Sequence, residues 1–169
     1  MRINDDHLYH GAALTQIAEY PTFKAINAFA MNGEKSRSAF TVNHDTGVYL
    51  KYATSPNGVG EYVFTFNVAN LRELEALKEQ YHKRVFVVLI CRRAKEICVL
   101  TIDQFEAKIK QREKAKQESE SNYQILVTVP SGKSFRAYVN YPGKKGMLIK
   151  PQTIISRNEF PKALFSPVQ

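Results

Sequence analysis

Lys51 lies in the run Tyr49-Leu50-Lys51-Tyr52-Ala53, where apolar and polar side chains alternate. A lysine on a strand of this kind commonly faces water, or else carries its charge into a cleft that takes an anion. Acids able to work with it are few. Asp45 lies in the turn before it, and Glu19 and Glu61 would have to come from neighbouring elements. His7 and His10 are three apart near the start, but a metal site needs a third ligand that the local sequence does not identify. Cys91 and Cys98 lack the CxxC spacing of zinc and redox sites and read as buried, reduced thiols. There is no GxSxG, HExxH or dinucleotide-binding glycine fingerprint. Gly132-Lys133-Ser134 lacks the upstream glycine of a phosphate-binding loop and leads into a strand, not a helix.

The second set of chemically useful residues is basic. The net charge of +8 is concentrated after Tyr123, where seven lysines and arginines face the single acid Glu159. Such asymmetry is the footprint of a polyanionic partner. In Ser134-Phe135-Arg136-Ala137-Tyr138-Val139-Asn140-Tyr141, strand alternation puts Arg136, Tyr138 and Asn140 on one face. Arginine for phosphate, tyrosine for stacking and asparagine for hydrogen bonding together suit nucleic acid. Lys133, Lys144 and Lys145 in the flanking turns extend this surface, and Arg92 and Arg93 form a second basic tip.

The elements that must position these residues can be read from periodicity. At 169 residues and 44% hydrophobic content, the chain suits one folded domain. No apolar run is long enough to span a bilayer, so no membrane partner is expected, and the first residues carry no secretory signal. Asn4 or Asp5 caps a helix reaching about Tyr20, and Phe23 to Ala30 reads as a strand. Ser36 to Thr54 forms a hairpin across Asn43-His44-Asp45-Thr46-Gly47, with Gly47 free to take positive φ. Ser38, Phe40 and Val42 share one side of its first strand, Val48, Leu50 and Tyr52 share one side of its second, and Tyr49, Lys51 and Ala53 lie on the face opposite Leu50. Tyr62, Phe64 and Phe66 mark a further strand, and Asn67 caps an amphipathic helix bearing Leu71, Leu74 and Leu77.

Val85 to Cys91 is apolar on both faces, which predicts a central strand covered on both sides. Ile97 to Leu100 returns beside it, and Thr101 with Gln104 has capping-box spacing for a third helix. Residues 108–122 lose the apolar stripe and read as a solvated helix end and linker. Strands follow at Gln124 to Val129, Ser134 to Tyr141 and Thr153 to Ser156. The expected fold is therefore α+β or α/β: a central mixed sheet with three helices, then a basic C-terminal group of strands. The single domain divides into an α/β core over 1–107, the charged segment and a β-rich extension over 123–169.

The order helix, strand, hairpin, strand, helix, strand over His7 to Thr101 resembles the core of the PD-(D/E)XK nuclease superfamily. In that family an acid on the second strand and a (D/E)xK triplet on the third hold a divalent metal, and the lysine positions or activates the attacking water. Tyr49-Leu50-Lys51 stands where the triplet falls: Lys51 matches and Tyr49 replaces the acid. The resemblance implies a degenerate nuclease-like core, with DNA favoured over RNA. No cofactor is expected for a binder of this kind. An active magnesium-dependent nuclease would have to use Lys51 with Asp45, Glu19 or Glu61. The remaining alternative is a non-enzymatic domain whose basic face meets an acidic protein. A cytoplasmic nucleic-acid-binding protein is the leading expectation.

Overall fold

The computed structural model describes residues 1–167. Among these residues nine strands form two sheets, accompanied by three α-helices, an α+β arrangement with a mixed central sheet as expected. The elements are α1 (Asp5–Ala18), β1 (Ile26–Met31), β2 (Glu34–Val42), β3 (Thr46–Ala53), β4 (Glu61–Phe66), α2 (Val68–Tyr81), β5 (Val85–Cys91), β6 (Glu96–Thr101), α3 (Ile102–Lys116), β7 (Tyr123–Thr128), β8 (Phe135–Tyr138) and β9 (Thr153–Ile155). A short 3₁₀ turn covers Lys162–Phe165. No helix among the described residues is long and apolar enough to cross a membrane.

The first sheet has the order β1-β2-β3-β5-β6. β3 and β5 run parallel, and the other neighbours are antiparallel. Every residue of β5 is buried, because its alternating side chains enter two different cores. Phe86, Val88 and Ile90 join Val48, Leu50, Ala13 and Ile17 beneath α1 and the 3₁₀ turn. Val85, Val87 and Leu89 point the other way, toward α2, α3 and the second sheet.

The second sheet has the order β4-β7-β8-β9, antiparallel throughout. It is therefore not an appendage of the N-terminal core. β4 leaves the first sheet to pair with β7, and Phe64, Phe66, Ile125, Val127, Phe135 and Ala137 share one core with Tyr49, Val87 and Leu89. The charged segment is likewise folded in. Lys108 is 2% exposed, and its Nζ donates to the Pro151 carbonyl at 2.7 Å. Arg112 pairs with Glu120 at 2.8 Å and donates to the Asn140 carbonyl at 2.7 Å, tying the end of α3 to the second sheet. Apolar periodicity fails there because long cationic side chains bury their stems and still find oxygen acceptors.

Local signals hold at the helix starts. Asn4, Asn67 and Thr101 each make the expected N-cap, accepting a hydrogen bond from the backbone of the residue three ahead. Gly47 has a different role from the one its position in the turn predicts. The left-handed residues of that turn are Asn43 and His44. Gly47 sits inside β3, where a Cβ would lie 2.8 Å from the Tyr81 ring of α2. Its value there is close packing, not positive φ.

Candidate functional site

The first sheet is broken beside Lys51. β2 pairs with β3 from Val42 opposite Thr46 to Ala39 opposite Tyr49, and no further. On its other edge β3 pairs with β5 from Gly47 through to Ala53. Leu50 to Ala53 are thus strand-paired on one side only. The cause lies in β2, which bulges: Phe29 of β1 alone faces Ser36-Arg37-Ser38-Ala39. Ser36 Oγ accepts from the backbone of Ser38 and Ala39 at 3.1 and 2.9 Å, a local turn that takes those groups out of the ladder. The extra residues bend β2 away and open the centre of the sheet.

Polar side chains gather at this opening on both faces. On the α2 side, Lys51 is half-buried, and its Nζ donates to Asn70 Oδ1 at 2.8 Å and lies 5.1 Å from the centre of the Phe66 ring. Burial pulls the Lys51 pKa below its ordinary value, and Glu73 partly opposes the shift. Tyr49, 1% exposed, donates its hydroxyl to Glu73 Oε1 at 3.4 Å, while Ser36 donates to the other carboxylate oxygen. Burial and the Glu73 charge raise the Tyr49 phenol well above its usual value, so it stays neutral.

On the α1 side, buried His10 pairs through Nδ1 with the Arg37 carbonyl at 3.0 Å and meets the Tyr52 ring edge-on. Tyr52 packs against Tyr9, and the Arg92 guanidinium lies 4.6 Å from the centre of the Tyr9 ring. A cleft of about 570 Å³ opens here, lined by Asp6, His7, His10, Ser36, Arg37 and Phe40. The β5–β6 turn closes the same end of the sheet: Arg92 and Arg93 donate backbone N–H groups to Ala53 and Thr54, leaving both side chains exposed. Along β3 the Lys51 backbone is about 7 Å from Ala53, where this tip attaches, with Lys51 on the α2 face and Arg92 on the α1 face.

The expectation that Lys51 faces bulk water is thereby corrected: the second sheet and α2 cover its face of β3. Its proposed metal-binding acids are scattered. Asp45 precedes β3 at the far end, about 20 Å along the strand from Lys51, beside Arg84. Glu19 caps the C-terminus of α1, about 13 Å along the helix from His10. Glu61 lies in the second sheet, 6% exposed, holding Tyr138 and Asn57.

Glu73, the acid that does stand beside Lys51, is absent from the sequence reading, as are Asn70 and Ser36. Asn70 and Glu73 are three apart on α2, a spacing that places them on one helix face, but only the packing of α2 over β3 shows which strand they meet. Magnesium favours several carboxylate or water oxygens in octahedral array. Here one carboxylate is engaged on both oxygens and the nearby amide is held by Lys51, so these donors do not fit it. No group of three or more His, Cys, Asp or Glu among the described residues is placed to hold a metal ion.

The C-terminal basic residues are spread along β8. Exposed Lys133 lies in the turn before this strand of four residues, about 13 Å long, and exposed Lys144 and Lys145 follow its other end. Alternation on β8 is as expected, with Phe135 and Ala137 in the core and Arg136 and Tyr138 on the opposite face. Tyr138 is nevertheless no stacking platform. It is 6% exposed, with its hydroxyl donated to Glu61. Arg136 donates to Gln152 at 3.2 Å, and Asn140 is partly buried beside Leu148. Cys91 and Cys98 are buried and unbridged, and burial pushes the Cys91 thiol up to about 12. No family model, curated protein or solved structure matches the chain.

Proposed function

We propose that this chain is a nucleic-acid-binding protein on a degenerate nuclease-like core, engaging its ligand at the open end of β3. The observation that carries this reading is the state of Lys51. It is a partly desolvated cation at a break in the sheet, held by a neutral amide, on the strand whose end carries the exposed Arg92-Arg93 tip. A cation in that state gains more from an incoming phosphate than a fully hydrated one does. The Tyr9–Tyr52 pair beside Arg92 adds aromatic surface to the same end. The nuclease-like reading and, through it, DNA over RNA rest on the order α1, β1, β2, β3, β4, α2, β5, of which β4 pairs in the second sheet. Two buried, unbridged thiols suit a reducing compartment such as the cytoplasm.

The test is binding of labelled oligonucleotides across a salt series. Reversing Arg92 and Arg93 to Glu should weaken binding at least about tenfold at low salt and flatten the salt dependence. Lys51→Met should lower affinity several-fold with little change in stability. A folded double reversal with unaltered affinity would remove this end of the molecule from the reading. Binding to an acidic protein without any to nucleic acid would replace the partner. Metal-dependent cleavage abolished by both Lys51→Met and Glu73→Gln would make the protein an enzyme.

A further inference from the structure

The outer face of the second sheet carries a different kind of opening. Strand register sets Val63 of β4 opposite Leu126 of β7, and Leu126 opposite Tyr138 of β8. A cavity of about 500 Å³ lies over this apolar row, walled by Asn57–Val59 on one side and by Lys145 and Gly146 on the other. A smaller one of about 170 Å³ shares Gln124, Leu126 and Asn140 with it. The larger falls within the roughly 300–1,000 Å³ typical of small-molecule sites.

Its polar lining is one acid, Glu61, the amides of Asn57, Gln124 and Asn140, and one cation, Lys145. Glu61 is 6% exposed and holds only neutral donors, Asn57 Nδ2 at 3.0 Å and the Tyr138 hydroxyl. No lysine, arginine or histidine among the described residues pairs with it. A carboxylate offers about four acceptor positions, so each oxygen keeps one free. Asn140 Oδ1 is sealed from solvent with no hydrogen-bond partner at all. A buried acceptor in that condition is costly, and turning the Asn140 side chain into the cavity would let a ligand donor satisfy it. Lys145 stands exposed at the mouth and pairs with no acid among the described residues.

The ligand such a site fits has a flat apolar body, an edge with adjacent N–H donors, and a negative tail. Guanine presents N1–H and N2–H₂ side by side, a match to a carboxylate. Adenine and cytosine offer one amino group each, and uracil and thymine one ring N–H. A lysine or arginine side chain would satisfy the acceptors but leave the apolar row uncovered and meet Lys145 as a like charge. We propose that this cavity binds a guanine nucleotide, with the base edge on Glu61 and Asn140, the ring over Val63 and Leu126, and the phosphate beside Lys145. The proposal deepens the nucleic-acid reading and rests on it for the ligand class.

The experiment is titration of the full chain with GMP, AMP, CMP and UMP, followed by calorimetry or nucleotide fluorescence. GMP should bind at least about tenfold tighter than AMP. Lys145→Ala should weaken GMP and leave guanosine unchanged. Glu61→Gln should erase the preference for guanine. Because Glu61 is buried, its melting curve is checked, and Asn140→Ala supplies a second variant in which the preference must fall. An oligothymidylate carrying one guanine, compared with the all-thymine strand, separates an unpaired strand residue from a free nucleotide as the source. Guanine-dependent gain in the oligonucleotide supports the first, and selection of GMP alone supports the second. Equal binding of all four nucleotides, or none in the millimolar range, overturns the proposal. Failure of the broader reading shows differently, as a chain that selects GMP yet ignores oligonucleotides of every sequence.

Discussion

The two halves of β3 are built to opposite specifications. From Gly47 to Tyr49 the strand is paired on both edges, by β2 and β5, and its residues are fully buried. Arg84 locks this end, donating to Thr46 Oγ1 at 2.8 Å and to the Leu164 carbonyl at 2.8 Å. From Lys51 to Ala53 the strand is paired to β5 alone, and its residues are half-buried. One strand thus acts as core over its first half and as site over its second. The difference comes from β2. Where β2 follows β3, Val48 and Tyr49 are enclosed between the layers. Where it bulges, space remains for a lysine, two aromatic rings and a histidine. A rigid strand with one free edge holds polar groups in place without enclosing them.

The sharpest way to test that contrast is to remove the support of the open half. Leu89 is the β5 residue registered opposite Lys51 and is wholly buried. With one edge of β3 free, β5 must brace this half by itself. Leu89→Ala should cost about 2–5 kcal/mol in urea denaturation, through lost burial and the cavity left behind. It should also weaken oligonucleotide binding more than an equally costly substitution far from β3. A cost below about 1 kcal/mol would mean that something other than β5 holds the open half.

The closed half makes the opposite prediction, that adding atoms is harmful. A Cβ on Gly47 would sit 2.8 Å from the Tyr81 ring and 3.1 Å from a Leu77 methyl group. Gly47→Ala should therefore destabilise by about 1–3 kcal/mol, although alanine lowers the unfolded chain's entropy. Gly11, on α1 beside the open half, is the internal control, because a Cβ there meets nothing within 4 Å. Gly11→Ala should stabilise by about 0.5–1 kcal/mol. Equal effects at the two glycines would erase the distinction between closed and open halves.

Much of the fold was legible because it rests on local rules. The three N-caps, the all-apolar β5 and the alternation of β8 each follow from near neighbours in sequence. The membership of β4 was not legible. Tyr62, Phe64 and Phe66 announce a strand, but nothing local says that its partner is β7 and not the adjacent hairpin. That single choice creates the second sheet, buries Tyr138 against Glu61 and turns the face of Lys51 inward. The site was legible only at Lys51 and the Arg92-Arg93 tip. Glu73 and Asn70 reach Lys51 through helix packing, and the opening itself comes from a bulge signalled by no glycine or proline, only by serines that bond their own backbone.

The smallest expected effect is a pH dependence carried by His10, which packs on the open half. His10 is 5% exposed, and burial lowers its pKa from 6.5, against opposing contributions from Asp6 and the Arg37 carbonyl, while the Lys51 charge lowers it further. In the unfolded chain the ring takes up a proton near its ordinary value, and in the folded protein it does so only at lower pH. Between those two values the unfolded state binds more protons, so folding stability falls as pH falls. Above 6.5 the contribution is fully present. It declines through the window beneath 6.5 and levels off below the folded value. Other groups titrate in the same range, so the measurement is a difference: wild type against His10→Gln, melted at intervals from about pH 8 to about pH 5. Wild type should lose ground relative to the variant once pH drops below the ordinary histidine value. A parallel pair of curves would mean that His10 titrates alike in both states. It would then be open to solvent, and the bulged carbonyl of Arg37 would not be holding it against the sheet.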